Sequence, residues 1–246
     1  MIALGTRAHG ATMRRQLPMM TEHFYKSEWM ATGEDPTLSP TASLIEQPPN
    51  CTLESHFHRQ NQFQVFVDGG GQIGAHDLQS VLVHYAGAYT GYGPLIAGPQ
   101  GIKYFTIRPV CESGFIPITA AREKMVRGPK RHLTVGPIDV SRLPEGAVEG
   151  EAFALHPFDA DGLGMGYLKL KPHTSLSFQR HPASQGVFVF VLQGQVQLAQ
   201  QALGVWEMFF VSSGEPLPEC AAGAQGATVL TLHCPPKETV YQEVLP

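Results

Sequence analysis

Residues 49–73 read PNCTLESHFHRQNQFQVFVDGGGQI, and residues 172–196 read PHTSLSFQRHPASQGVFVFVLQGQV. At an offset of 123 without a gap they share six of 25 positions: Pro49/Pro172, Leu53/Leu176, His58/His181, Gln62/Gln185, Gly71/Gly194 and Gln72/Gln195. Further along, an offset of 125 lays residues 97–101 on 222–226 and Thr106 on Thr231, so the second copy gains two residues between these blocks. Two ordered blocks of self-similarity mark a duplicated unit. Each copy reads as strands. In residues 62–67 polar and apolar side chains alternate before Asp68-Gly69-Gly70-Gly71, whose glycines suit a hairpin turn. Residues 102–107 are β-branched and aromatic and are closed by Pro109. Residues 187–192 are apolar at every position, the pattern of a strand buried on both faces, here against the other copy or a second subunit.

Composition agrees. The chain has 246 residues with 26 Gly and 20 Pro, only 15% charged and 43% hydrophobic residues, which disfavours helical bundles and global disorder. A net charge of −4 gives no reason to expect nucleic acid as a partner. The basic group Arg122, Lys124, Arg127, Lys130 and Arg131 is interrupted by Glu123 and reads as a solvated connection. No window is apolar enough to span a membrane, and Arg14-Arg15 is not followed by the apolar run of a secretory signal. The four cysteines are scattered without a CxxC pair. A cytoplasmic protein and a homodimer are expected. The fold expected is all-β, from an internal duplication: an N-terminal arm at 1–30, a first unit at 31–111, a linker at 112–150 with a short helix at 119–126, and a second unit at 151–246. Residues 1–19 lack periodicity, and Met19 or Met20 is an alternative start.

Two spacings carry a resemblance. Asn50-x5-His56-x-His58-x3-Gln62-x6-Gly69 resembles the first cupin motif, with Asn for its leading Gly and Gln for its Glu. Gly93-x5-Pro99-x-Gly101-x2-Tyr104-x3-Arg108 resembles the second, with Tyr for His and Arg for Asn. Cupins are jelly-roll proteins and two-barrel members are common, so the resemblance implies two tandem antiparallel jelly-roll barrels, the first at 31–111 and the second at 151–246. The resemblance implies a divalent metal, Fe, Mn, Ni or Zn, at the positions of His56, His58, Gln62 and Tyr104. His56 and His58, two apart on a strand, point to one face. An amide is a weaker donor than a carboxylate, and a tyrosine must lose a proton from a pKa near 10 to bind as phenolate. Neutral donors around a divalent ion favour an anionic ligand. Gln62 cannot serve as a base; Tyr104, His76 and His84 are the candidates, and Arg108, on the same strand face as Tyr104, suits a carboxylate anchor.

The alternative reading is a neutral hydrogen-bonded cluster of Gln62, Tyr104 and the histidines that recognises a polar ligand without metal. The run His84, Tyr85, Tyr89 and Tyr92 fits either an aromatic entrance or core packing. In the second copy the equivalents are Gln179, His181, Gln185 and Val229, with His173 and His233 outside the matched positions, so that half is expected to be structural. Two functions follow: a metal-dependent dioxygenase or isomerase acting on a small anionic metabolite, or a non-catalytic, metal-free small-molecule binding protein. The pirin-like bicupins, with one metal-bearing barrel, are a related pattern.

Overall fold

A computed structural model describes residues 1–19, 22–112 and 114–242. Met20, one of the alternative starts, lies outside the described residues. The chain forms two compact units, residues 9–138 with the segment from Lys237 onward, and residues 1–8 with 139–236.

Strand β1 (Ile2–Gly5) belongs to the second of these. The first, the N-terminal barrel, contains β2 (Arg15–Met19), β3 (Glu22–Ala31), β4 (Thr41–Gln47), β5 (Thr52–Leu53), β6 (His56–Phe57), β7 (Gln62–Ile73), β8 (His76–Gln79), β9 (Leu82–Ala86), β10 (Leu95–Arg108), β11 (Ile116–Pro117) and β12 (His132–Val135). Its main sheet runs β12-β9-β7-β10-β4-β3-β2. The C-terminal barrel adds β13 (Phe153–His156), β14 (Gly164–Leu170), β15 (Gly186–Leu198), β16 (Gln201–Leu203), β17 (Met208–Ser212) and β18 (Cys220–Cys234), in the order β1-β17-β15-β18-β14-β13. Both units are antiparallel jelly rolls. No helix among the described residues is long and apolar enough to cross a membrane.

The expected boundaries shift. The arm at 1–30 is divided: β1 extends the C-terminal sheet along β17, while β2 and β3 form a hairpin at the edge of the N-terminal sheet. The linker at 112–150 is shared too. Ile116 and Pro117 pair with Phe57 and His56, and His132–Val135 pairs with β9, so its first part completes the N-terminal barrel. The helix is shorter than expected, Ile118–Ala121 followed by a single 3-10 turn. Residues 187–192 are buried within a single chain: Val187, Val189 and Val191 join the barrel core, and Phe188 stacks on Phe210 at 4.7 Å.

The duplication holds, but its gap lies elsewhere. Gly69 and Gly194 have positive φ of 73° and 72°, and a Cβ on either would lie 2.2 Å from the carbonyl oxygen of Gly101 or Gly226 respectively. Only glycine permits that approach, so the two pinches are equivalent, and both glycines of each pair stand 125 apart. The ladders agree, since Ile107 faces Phe63 where Leu232 faces Phe188. Upstream the offset is still 123: Asn50 and His173 share φ values of 58° and 60°, and Cys51 N–H and Thr174 N–H donate to Pro48 and Lys171. The two extra residues therefore lie in the loop before β15, the one holding His181. Val187, not Gln185, is the counterpart of Gln62, and His233 is the counterpart of Arg108.

Candidate functional site

Period-two alternation sets the interior of the N-terminal barrel. On β7, Gln62, Gln64 and Phe66 share one face; Tyr104 lies opposite Phe66, Thr106 opposite Gln64, and His84 of β9 also faces Gln64. One end of this interior is apolar, with Ile45, Phe66, Leu82, Leu95, Ile102 and Tyr104 in a single cluster. The other end is polar, and almost no solvent reaches it: His56, His58, Gln62, Gln64, His84 and Arg108 are all buried.

These side chains form a directed hydrogen-bond chain. Arg108 Nη2 donates to Gln62 Oε1 at 2.6 Å. Gln62 Nε2 donates to the Tyr92 hydroxyl. His56 Nδ1 lies 2.7 Å from the Glu54 carbonyl, which can only accept, so Nδ1 carries the proton and donates. His56 Nε2 then accepts from Tyr92 Oη at 3.0 Å. His58 stands beside the chain. Its Nδ1 lies 3.4 Å from Glu112 Oε2, and Arg108 Nη2 lies 3.3 and 3.4 Å from its two ring nitrogens. Glu112 Oε1 accepts from the Arg59 amide at 2.7 Å. Phe115 packs on the His56 ring at 5.2 Å.

The charges are confined to Arg108 and Glu112. Burial lowers the pKa of His56 to about 3, with His58 and Arg108 adding to the effect, and burial lowers His84 to about 3 as well. His58 is pushed down by burial and Arg108 against the opposing pull of Glu112, so all three imidazoles are neutral at pH 7. Burial raises the Glu112 carboxyl, but the His58 hydrogen bond and the Arg108 charge outweigh it and hold it below its usual range. Three buried polar atoms here have no hydrogen-bond partner among the described residues: Gln64 Oε1, His84 Nε2 and Arg108 Nε. Leaving such a group unpaired costs about 1–3 kcal/mol each, so the interior is built to receive further polar atoms.

His56, His58, Gln62 and Arg108 come together as the spacing implied. Tyr104 does not join them. Its ring stacks on Phe66 at 5.1 Å within the apolar cluster, and burial drives its phenol well above the ordinary value, so the ligand or base role expected of it has no geometric basis. The tyrosine at the histidines is Tyr92, from the loop before β10, seen in the sequence only as one of a run of aromatics. Glu112 was hidden in the expected linker. His76 is exposed on β8, whereas His84 points inward and bonds Thr134 Oγ1 at 2.8 Å.

The His56 lone pair is engaged by Tyr92, and the Gln62 oxygen by a permanent cation 2.6 Å away. Among the described residues no group of three or more His, Cys, Asp or Glu side chains is placed to hold a metal ion. As arranged, the donors form a hydrogen-bonded cluster around a guanidinium and do not fit a resident divalent ion.

No protein-family model and no curated protein sequence matches the chain. Solved structures do, at the level of fold. A "putative dioxygenase" from Nostoc punctiforme aligns with TM-score 0.63 at 14% identity over 98% of this chain and 80% of that one. Bacillus subtilis oxalate decarboxylase, described with Mn(II) centres, gives 0.59 at 10% identity over 92% and 77%. The pirin YhhW of Escherichia coli, in complex with nickel(II), gives 0.55 at 13% identity over 96% and 100%. The chain has the cupin jelly-roll fold that these proteins share.

Proposed function

We propose that the N-terminal barrel is a recognition site for a small carboxylate, organised by Arg108 rather than by a metal ion, with the neutral His58 and the Glu112 carboxylate beside it. The carrying observation is the Arg108 guanidinium, 7% exposed, bonded to Gln62 while its Nε has no partner. A guanidinium offers parallel donors that match the two oxygens of a carboxylate, and in a buried site such a pair is strong and orienting. Glu112 against His58 Nδ1 favours the tautomer with its proton on Nδ1 and its Nε2 lone pair turned toward Arg108 Nη2 at 3.4 Å, so His58 stays neutral beside the guanidinium. Oxalate decarboxylase, a fold neighbour, is named for a small dicarboxylate, which supports this substrate class. The protein is read as a two-barrel cupin, and its four cysteines, none of them in a disulfide, fit a reducing compartment such as the cytoplasm.

A second reading keeps a divalent ion at His56, His58 and Gln62. It is favoured by two histidines at ligand spacing in a fold whose neighbours are described with manganese and nickel. It requires Arg108 to leave Gln62, and Tyr92 to release His56. One experiment separates the two readings. Protein purified without chelator, beside its His56→Ala/His58→Ala variant, is analysed for metals and its melting is followed with small carboxylates in chelator. The first reading expects stabilisation that persists in chelator and is lost in Arg108→Gln. It is overturned by about one ion per chain, absent from the variant, with stabilisation that requires that ion.

A further inference from the structure

The C-terminal barrel, expected to be structural, has an opening where the N-terminal barrel is filled. At the constant offset of 125, Arg108, Gln62 and Tyr92 correspond to His233, Val187 and Leu217. These shorter side chains leave a cavity of about 330 Å³ at the mouth, lined by Arg180, His181, Ser184, Val187, Ser213 and His233 among others, with no Asp or Glu in its wall.

We infer that this cavity is a second, independent binding site for a small carboxylate with an apolar body, held by Arg180, His181 and His233. Its donors are distinct and uncommitted. His233 is 3% exposed, and its Nδ1 has no hydrogen-bond partner although it borders a cavity. His181 Nδ1 accepts from the Ala183 amide at 3.2 Å, which puts the ring proton on Nε2. Arg180 is half-buried and reaches the Ser212 carbonyl with Nη1 at only 3.5 Å, leaving its other donors free to turn inward. Ser184 is already committed, its hydroxyl donating to the Gly162 carbonyl at 2.6 Å. Burial, with Arg180 and His181 adding to it, lowers His233 to about 4, so at pH 7 it acts as a neutral hydrogen-bonding group beside one fixed positive charge.

The remainder of the wall selects the ligand body. Val187 and Pro182 are its apolar part, and the Phe158 and Phe178 rings, outside the wall, hold His233 edge-on at 4.7 and 5.8 Å. A polar, strongly hydrated anion such as inorganic phosphate finds a single cation and an apolar wall. A carboxylate on a ring or a short chain satisfies both.

The test is a titration of the full chain, with histidines isotopically labelled, with benzoate, followed by the ring resonances of His181 and His233. Benzamide, equal in shape and uncharged, is the control. Saturable shifts of both residues with benzoate, absent with benzamide and weakened at least tenfold by Arg180→Gln, are expected. Ser213→Phe, at the exposed rim, narrows the mouth without touching the charge and is expected to weaken binding as well. Absence of shifts in the unmodified protein, equal shifts with benzamide, or shifts unchanged in Arg180→Gln overturn the proposal. The resonances of His56, His58 and His84 report the N-terminal site separately, so failure at one barrel is distinguishable from failure at the other.

Discussion

The two barrels share a backbone and differ in what they put at one end of it. In the N-terminal barrel, Arg108, Gln62 and Tyr92 close the interior with a hydrogen-bonded chain; in the C-terminal barrel, His233, Val187 and Leu217 leave it open. The glycine pinches that bend the long strands are the same in both, down to the 2.2 Å approach that excludes a Cβ. The duplicated unit therefore keeps fixed what closes a barrel, and varies the few inward positions near its mouth. Those positions decide whether a site holds its ligand by an internal cation or by a cavity.

The comparison can be broken most directly at the pinches. Gly69→Val and Gly194→Val each force a β-branched residue into positive φ and against a carbonyl, and each is expected to lower stability by about 3–5 kcal/mol. The chain has two tryptophans, Trp29 in the N-terminal barrel and Trp206 in the C-terminal one, so Trp206→Phe or Trp29→Phe lets fluorescence follow either barrel in denaturant. If only one pinch is sensitive, the offset of 125 is wrong. Next in size is Tyr92→Phe. Its hydroxyl bridges Gln62 Nε2 and His56 Nε2, and removing it strands both, for an expected loss of about 2–3 kcal/mol confined to the Trp29 signal.

Acid sharpens the contrast further. His56 and His84 are held near 3 by burial in one barrel, and His233 near 4 in the other. In the unfolded chain each binds a proton near pH 6.5 while the native form does not, so the unfolded state holds more protons and stability falls as pH drops from about 6.5 toward 3–4. The loss per buried histidine approaches about 1.4 kcal/mol per pH unit. Between pH 6 and 5 the N-terminal barrel, where His58 is lowered as well as His56 and His84, is expected to lose at least twice as much as the C-terminal one. Equal losses by the two tryptophan signals would remove the distinction.

How much of this could be read beforehand differs from feature to feature. Period-two alternation exposed the strands, and it placed Arg108 on the face of the histidines because Tyr104, Thr106 and Arg108 step along one strand. The position of the gap was not legible. Gly71/Gly194 and Gln72/Gln195 match at 123 only because glycine and glutamine are frequent there, whereas the true offset is set by which glycine must adopt positive φ beside a carbonyl, a three-dimensional requirement. That misplacement paired Gln185 with Gln62 and hid the correspondence of Gln62 with Val187. Tyr92 and Glu112 were missed because they enter from loops, where no periodicity says which way a side chain points.

The smallest expected effect bears on the residue that the motif favoured most. Tyr104 is 2% exposed, packs on Phe66, and has as its counterpart Val229, wholly buried in the core of the other barrel. A position that is apolar in one copy and lies in the apolar cluster of the other is a packing position. Tyr104→Phe preserves the ring and is expected to change stability by less than about 1 kcal/mol and to leave carboxylate binding at Arg108 unaltered. Tyr104→Val copies the counterpart but leaves a void in a core built around the larger ring, so it is expected to destabilise by about 2–4 kcal/mol while binding, measured on the folded fraction, still persists. A tenfold loss of binding in Tyr104→Phe, with melting unchanged, would instead mean that the phenol reaches the ligand. The polar end of the barrel would then extend two residues deeper along β10 than the contacts of Tyr92 place it.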